Sequence, residues 1–141
     1  MATNFSLATK AFIVEDEKVL ILKRRSNDVH CAGVWDLPGG RIGPEEDPVD
    51  GIKRETMEET GLEIEVIIPL GTKHFTRDDG QVVTGITFLC EPKNKNAKIT
   101  LSEEHTEYKW EAIGKAREIV YHGFLNVFDA YKKIRSKKLF K

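Results

Sequence analysis

Apolar and polar residues alternate in segments short enough to be strands over much of this chain. Ala11-Phe12-Ile13-Val14 and Val19-Leu20-Ile21-Leu22 are β-branched or apolar runs on either side of Glu15-Asp16-Glu17-Lys18, the layout of two antiparallel strands and a turn. Between Leu62 and Leu70 the pattern alternates in part through Ile64, Val66 and Ile68. Asp78-Asp79-Gly80 then separates Lys73-His74-Phe75-Thr76 from a strand-like Gln81 to Cys90, which predicts a second hairpin. Glu107-Tyr108-Lys109-Trp110-Glu111 alternates charge with aromatic rings like a half-exposed strand. Phe124, Leu125, Val127, Phe128, Tyr131 and Ile134 recur at helical spacing and predict a closing helix over one sheet face. Pro92 to Lys98 is polar and aperiodic, a surface loop, and there is no internal repeat.

A further helix has both ends marked. Asp47 is a capping residue, Pro48 suits the first helical position and Gly61 suits a left-handed stop, giving roughly 13 residues or ~20 Å. At ~100° per residue, Val49, Ile52, Thr56, Met57 and Thr60 fall on one side, and Glu55, Glu58 and Glu59 fall together on another. Glutamates one turn apart repel by a few tenths of a kcal/mol per pair, normally relieved by interleaved cations, and only Arg54 lies close. Three carboxylates on a rigid element are the oxygen ligands that a hard divalent cation takes, and Mg²⁺ accepts substrate phosphate oxygens and waters for the rest. Taken alone, Glu58-Glu59 reads as a polar helix face, and it is the neighbouring residues that favour a metal site. Leu37-Pro38-Gly39-Gly40 lies just upstream, where paired glycines let the backbone approach a ligand or metal. Gly51, one turn before Glu55, costs about 1 kcal/mol relative to Ala in a helix. Close approach of a substrate phosphate and close packing of helix on sheet both account for it.

Composition narrows the classes. With 141 residues and 40% hydrophobic content the expectation is one domain over 1–141, because domains usually run to roughly 100–150 residues. The 22 Lys and Arg balance 23 Asp and Glu, so there is no electrostatic footprint for duplex nucleic acid or an anionic membrane. The N-terminus has no signal-peptide pattern and no apolar run approaches the ~20 residues that span a bilayer, which predicts a cytoplasmic protein. Cys31 and Cys90 are far apart and outside any CxxC spacing, which predicts free thiols. Histidines 30, 74, 105 and 122 show no ligand spacing and read as satisfied or exposed.

Gly40, then five residues, Glu46, then seven, and Arg54-Glu55-Thr56-Met57-Glu58-Glu59-Thr60-Gly61-Leu62 resembles the signature of the Nudix hydrolases. Thr56 departs from it, standing where the family usually has an aliphatic residue. The opening hairpin, Val34 to Gly40 and the closing helix extend the resemblance over nearly the whole chain. It implies an α/β fold, the family's α/β/α sandwich around a central mixed β-sheet. It implies a pyrophosphohydrolase, in which water attacks one phosphorus of a nucleoside diphosphate linked to a group X. By the resemblance Glu55, Glu58 and Glu59 hold divalent metal, Mg²⁺ or alternatively Mn²⁺. The Gly39 carbonyl is a further ligand and Glu46–Arg54 a structural pair. Glu55 or Glu58 acts as general base, and Glu103 or Glu104 contributes from a loop as a late acidic residue does in several members. As a plain sequence, Glu103-Glu104 reads also as a solvated loop or a helix start after Ser102.

Substrate contacts are less marked. Phe75, Trp35, Phe88 and Tyr108 are candidates to stack on a base or to pack in the core. Lys23, Arg24, Arg25 and Arg41 are candidates for a polyphosphate or for a solvated strand end. Arg77 stands downstream of the box where the ADP-ribose branch tends to carry proline, and Asp78-Asp79-Gly80 lacks the tyrosine of the dinucleoside polyphosphate branch. Elimination leaves a nucleoside triphosphate, oxidised forms included, cleaved to monophosphate and pyrophosphate. The alternatives are hydrolysis of ADP-ribose, another nucleotide sugar or a dinucleotide, and, from a different class, a catalytically silent nucleotide-binding module that has lost its metal ligands. An isoprenyl diphosphate isomerase shares the fold and needs an extra catalytic cysteine, and Cys31 does sit before the box, but that branch is usually longer than this chain. The expected partner is a small-molecule nucleotide, with the protein a monomer or homodimer.

Overall fold

The computed structural model describes residues 4–26 and 33–137, so the readings made on His30 and Cys31 lie outside the described residues. Strand β1 (Phe5–Glu15) turns through Asp16 and Glu17 into β2 (Lys18–Arg24). Both turn residues have positive φ, 51° and 62°, as a two-residue turn matched to strand twist requires. The expected opening hairpin is present. Its first strand reaches back to Phe5, because pairing with residues 39–42 and 82–87 holds residues 5–10 extended.

Two short strands follow, β3 (Trp35–Asp36) and β4 (Gly39–Ile42), then helix α1 (Pro48–Thr60). The second hairpin is β5 (Ile64–Thr76) and β6 (Val82–Pro92). Strand β7 (His105–Ala112), helix α2 (Ile113–Ile119), a 3-10 turn at His122–Phe124 and helix α3 (Leu125–Ser136) follow among the described residues. Strand β5 carries irregularities between Val66 and Ile68 and between Pro69 and Gly71. Proline has no N–H for the ladder, so a bulge is where a strand accommodates it.

The seven strands form one mixed sheet with the path β3-β2-β1-β6-β5, β4 pairing with β1 and β7 with β2. The parallel contact is β1 with β6, from Phe5↔Val82 to Ile13↔Cys90. Successive side chains of β1 therefore enter opposite layers. Phe12 joins Val19, Ile21, Leu89, Val127, Phe128 and Tyr131 under α2 and α3. Ala11 and Ile13 join Leu20, Leu22, Ile52, Leu62 and Phe88 under α1. A sheet covered on both faces needs apolar residues at successive positions, which is why Ala11 to Val14 and Val19 to Leu22 read as runs. Phe12 is fully buried and meets the Phe128 ring edge-on at 5.0 Å. The expected sandwich, with helices on both faces of a mixed sheet, is the architecture found.

Helix α1 has the predicted limits. Asp47 accepts from the N–H of Val49 at 2.7 Å and of Asp50 at 3.4 Å, and Gly61, at φ 76°, donates to the Met57 carbonyl. Its faces need one correction. Met57, assigned to the apolar side, is 43% exposed, whereas Glu59, assigned to the anionic strip, is 4% exposed. Glu59 lies on the border of the two faces, and the close approach of β4 draws it inward. For Gly51 the packing explanation holds: a Cβ there would lie 2.5 Å from Ile42 Cγ2.

Candidate metal and active site

The site is assembled where β4 crosses the second half of α1. Gly39 has φ 133°, and a Cβ would stand 2.0 Å from the Thr9 carbonyl oxygen, so the backbone comes this close to β1 only as glycine. From there its N–H donates to Glu59 Oε1 at 2.7 Å. Gly40 lies against Glu55, where a Cβ would be 3.2 Å from the carboxylate. The paired glycines thus bring bare backbone up to two of the box glutamates.

Arg54 gathers the outer carboxylates. Its Nε and Nη2 donate to Glu46 at 2.7 and 2.9 Å, Nη1 donates to both Glu58 oxygens at 3.0 Å, and Nη2 reaches Glu55 Oε1 at 3.3 Å. The predicted Glu46–Arg54 pair is a two-point ion pair, the geometry that suits a guanidinium. Hydrogen bonding from Arg54 holds the Glu46 carboxyl below its ordinary range. Glu55 is raised, because burial, with repulsion from Glu58 and Glu104, outweighs Arg54.

Glu59 is differently placed. Burial pushes its carboxyl up to about 8, with Glu104 and Glu55 adding to the rise, against the nearby Lys10 and the Gly39 N–H. Lys10 Nζ donates to Asp36 Oδ2 and the Leu37 carbonyl at 3.1 Å and to the Gly39 carbonyl at 3.3 Å. The carbonyl expected to meet a metal therefore faces the Lys10 ammonium. Asp36 also accepts from Arg24 Nη1 at 3.1 Å. Burial alone would raise the Asp36 carboxyl; the two cations and the Leu37 N–H bring it below its ordinary value.

Glu104 reaches this group from the turn before β7. Its N–H donates to Ser102 Oγ at 3.4 Å, and the segment continues as a strand, so the helix-start reading of Ser102 to Glu104 is excluded. Glu59, Glu104 and His105 each bring one ligand atom within 4.8 Å of the others. The sequence reading missed His105. It is 7% exposed, and its Nδ1 is buried without a hydrogen-bond partner, neither satisfied nor exposed as expected. Burial, then Lys10, lowers its pKa and favours the neutral ring. The sequence signal was its place directly after Glu104; the register pairing it with Arg24 across β2 and β7 is set by the fold.

The donor set suits a divalent cation. Several carboxylates converge, one of them buried and raised to about 8, and an orphaned imidazole nitrogen lies beside them. Negative charge there is incompletely answered by the protein itself.

The predicted substrate residues divide. Arg24 joins the site through Asp36. Arg41 is exposed on β4 and donates to Gln81 Oε1 at 3.3 Å. Phe75, 38% exposed, lies beside Lys73, whose Nζ is 5.0 Å from the ring centre. The register runs Arg41–Ala8–Gly85–Lys73 across β4, β1, β6 and β5, so Phe75 is on the far edge of the sheet, roughly three strand spacings or ~14 Å from the row of β4. Phe88 is core, Trp35 is half-buried with Lys109 Nζ 5.0 Å from its ring, and Tyr108 is exposed. Lys23 pairs with Glu107 at 3.4 Å. Thr56 is fully buried where an aliphatic side chain was expected, its hydroxyl unpartnered. Cys90 is a buried free thiol raised to about 12 by burial, and so inert.

A family model for the NUDIX domain matches residues 5–129. The asymmetrical bis(5'-nucleosyl)-tetraphosphatase of Rattus norvegicus is 33% identical over 104 residues, covering 70% of this chain and 67% of its own. A MutT-like protein of Streptomyces ambofaciens is 34% identical over 97 residues, covering 68% of this chain and 56% of its own, so this chain spans little more than half of that relative. Among solved structures, the MutT protein of Methanosarcina mazei Go1 superposes with a TM-score of 0.80 at 30% identity, covering 95% of this chain and 96% of that one. Joined to the glutamates and glycines of the site, these matches place the chain in the Nudix hydrolase family, as a pyrophosphohydrolase of the kind that acts on nucleoside diphosphate derivatives.

Proposed function

We propose that this protein hydrolyses a diphosphate linkage of a nucleoside triphosphate, oxidised forms included, releasing monophosphate and pyrophosphate with Mg²⁺ or Mn²⁺ as cofactor. The observation that carries this reading is the convergence of Glu55, Glu59 and Glu104 around the Gly39-Gly40 backbone, with Glu59 buried at a pKa of about 8. Glu55, Glu58, Glu59, Glu104 and the Gly39 carbonyl are the proposed ligands. A bound divalent ion supplies charge neutralisation for the phosphates and acidifies water.

The chain's own groups do the rest. Glu55 is the proposed general base, since burial raises its carboxyl and so makes it a readier proton acceptor. Arg54 holds Glu46, Glu55 and Glu58 in fixed positions, which sets where that base points. Arg24 and Arg41 supply positive charge to the polyphosphate. Phe75 stacks on a base only in a substrate long enough to cross the sheet.

The triphosphate assignment is supported by the 34% identity, over 64 residues, to a putative 8-oxo-dGTP diphosphatase of Bacillus subtilis (strain 168). A dinucleoside tetraphosphate is the second reading, favoured by the 33% identity to the rat tetraphosphatase. Product release from nucleoside triphosphates (oxidised purines included), ADP-ribose and dinucleoside polyphosphates, each with Mg²⁺ and with chelator, separates them. Metal-dependent turnover concentrated on a triphosphate supports the first reading, and concentration on a dinucleoside tetraphosphate replaces it with the second. Silence on every substrate rejects both.

A further inference from the structure

His105 is the first residue of β7 and more than nine-tenths buried, yet its Nδ1 has no hydrogen-bond partner. Leaving a buried polar nitrogen unpaired costs about 1–3 kcal/mol, and folded proteins rarely tolerate it without a reason. Its ring lies against the Glu59 and Glu104 carboxylates, each of the three residues offering one ligand atom within 4.8 Å of the others. Donors bound to one ion at ~2.1 Å stand about 3 Å apart when adjacent and about 4.2 Å when opposite, so small side-chain adjustments would let one ion meet all three. Glu104 is exposed, which gives such an ion a path from solvent.

We propose that His105 supplies a nitrogen ligand to a divalent-cation site shared with Glu59 and Glu104, giving the protein a preference for Mn²⁺ over Mg²⁺. This rests on the carboxylate reading above and adds to it the one donor that is not oxygen. Imidazole suits the divalent transition ions, whereas Mg²⁺ is served by oxygen ligands and water, so a buried imidazole among carboxylates biases the choice of ion. The backbone carries the same design. His105 pairs with Arg24 across β2 and β7, which fixes the ring on a strand, while Glu59 is fixed by the Gly39 N–H.

The test is pulsed electron paramagnetic resonance of the full chain loaded with Mn²⁺ alone, together with Mn²⁺ and Mg²⁺ binding titrations. The expected result is a nitrogen coupling of directly bound imidazole in the unaltered protein, absent in both His105→Gln and His105→Asn. The ratio of Mn²⁺ to Mg²⁺ affinity should fall about tenfold in the variants, the low end of what losing a group in a metal site costs. The unaltered protein's spectrum is decisive even if one variant fails to fold. Mn²⁺ bound without nitrogen coupling, or a coupling that survives both substitutions, overturns the proposal for His105 and leaves the carboxylate site intact. Absence of any bound Mn²⁺ overturns both.

Discussion

Two groups of carboxylates meet at helix α1, and their charge is answered in different ways. On the outer flank, Glu46, Glu55 and Glu58 share one guanidinium, and Arg54 reaches all three within 3.3 Å. On the inner flank, Glu59 lies beneath β4 with a single N–H bond from Gly39, Lys10 nearby but committed to Asp36 and two carbonyls, and Glu104 adding negative charge. The outer group holds itself in place. The inner group is an incompletely neutralised cluster that a folded chain retains at a cost, and that cost is recovered when a cation arrives.

The largest expected contrast is in activity. Glu59→Gln and Glu58→Gln should each lower turnover by roughly 10²–10⁴, the range for removing a group that acts in the transition state, while circular dichroism stays that of the folded protein. Their metal-free melting temperatures should part above pH 8, where the folded Glu59 carboxyl is ionised: Glu59→Gln removes a buried charge and raises it, whereas Glu58→Gln weakens the bonds to Arg54 and lowers it. Identical shifts would erase the distinction between the flanks.

Acidity sharpens the same contrast. Because the folded Glu59 carboxyl titrates at about 8, above its ordinary 4.5, the folded state binds more protons than the unfolded one across that window. Its contribution to metal-free stability is therefore full below pH 4.5 and lost as pH rises toward 8. Urea unfolding in chelator should show this decline, Glu59→Gln should flatten it, and saturating divalent metal should oppose it.

Smaller effects belong to the outer flank. Gly51→Ala gains about 1 kcal/mol of helix propensity but forces a methyl against Ile42, an overpacking cost of about 1–3 kcal/mol, so the net change is a loss. Adding Ile42→Val, which makes room, should recover part of it in chemical unfolding. Arg54→Met should cost about 1 kcal/mol or less, since the guanidinium is 40% exposed and its pairs are screened by solvent. The loss should be largest at low salt and reduced by Mg²⁺.

The outer flank was also the more legible of the two in the sequence. Asp47, Pro48 and Gly61 mark α1 through local hydrogen bonding and backbone preference, and the Arg54 pairs lie within eight residues along the chain. The inner flank is built from contacts between distant segments. The burial of Glu59 depends on β4 crossing the helix, and the role open to His105 depends on the β2–β7 register, neither of which leaves a periodic trace. The parallel pairing of β1 with β6 was hidden for the same reason, since the chain between them passes through β2 to β5. Helix α2, with seven residues and no side-chain cap, is too short for its spacing to stand out. Phe75 shows the converse: a plausible stacking ring by composition, it lies on the sheet edge away from the carboxylates.

The central claim is that the inner cluster is built to exchange a proton for a divalent cation. Isothermal titration of Mg²⁺ at pH 7, in two buffers of different ionisation enthalpy, tests it most directly. The account predicts saturable binding with release of close to one proton per ion, and binding weaker and free of proton release in Glu59→Gln. No binding, or binding with the same proton count in both proteins, would contradict it.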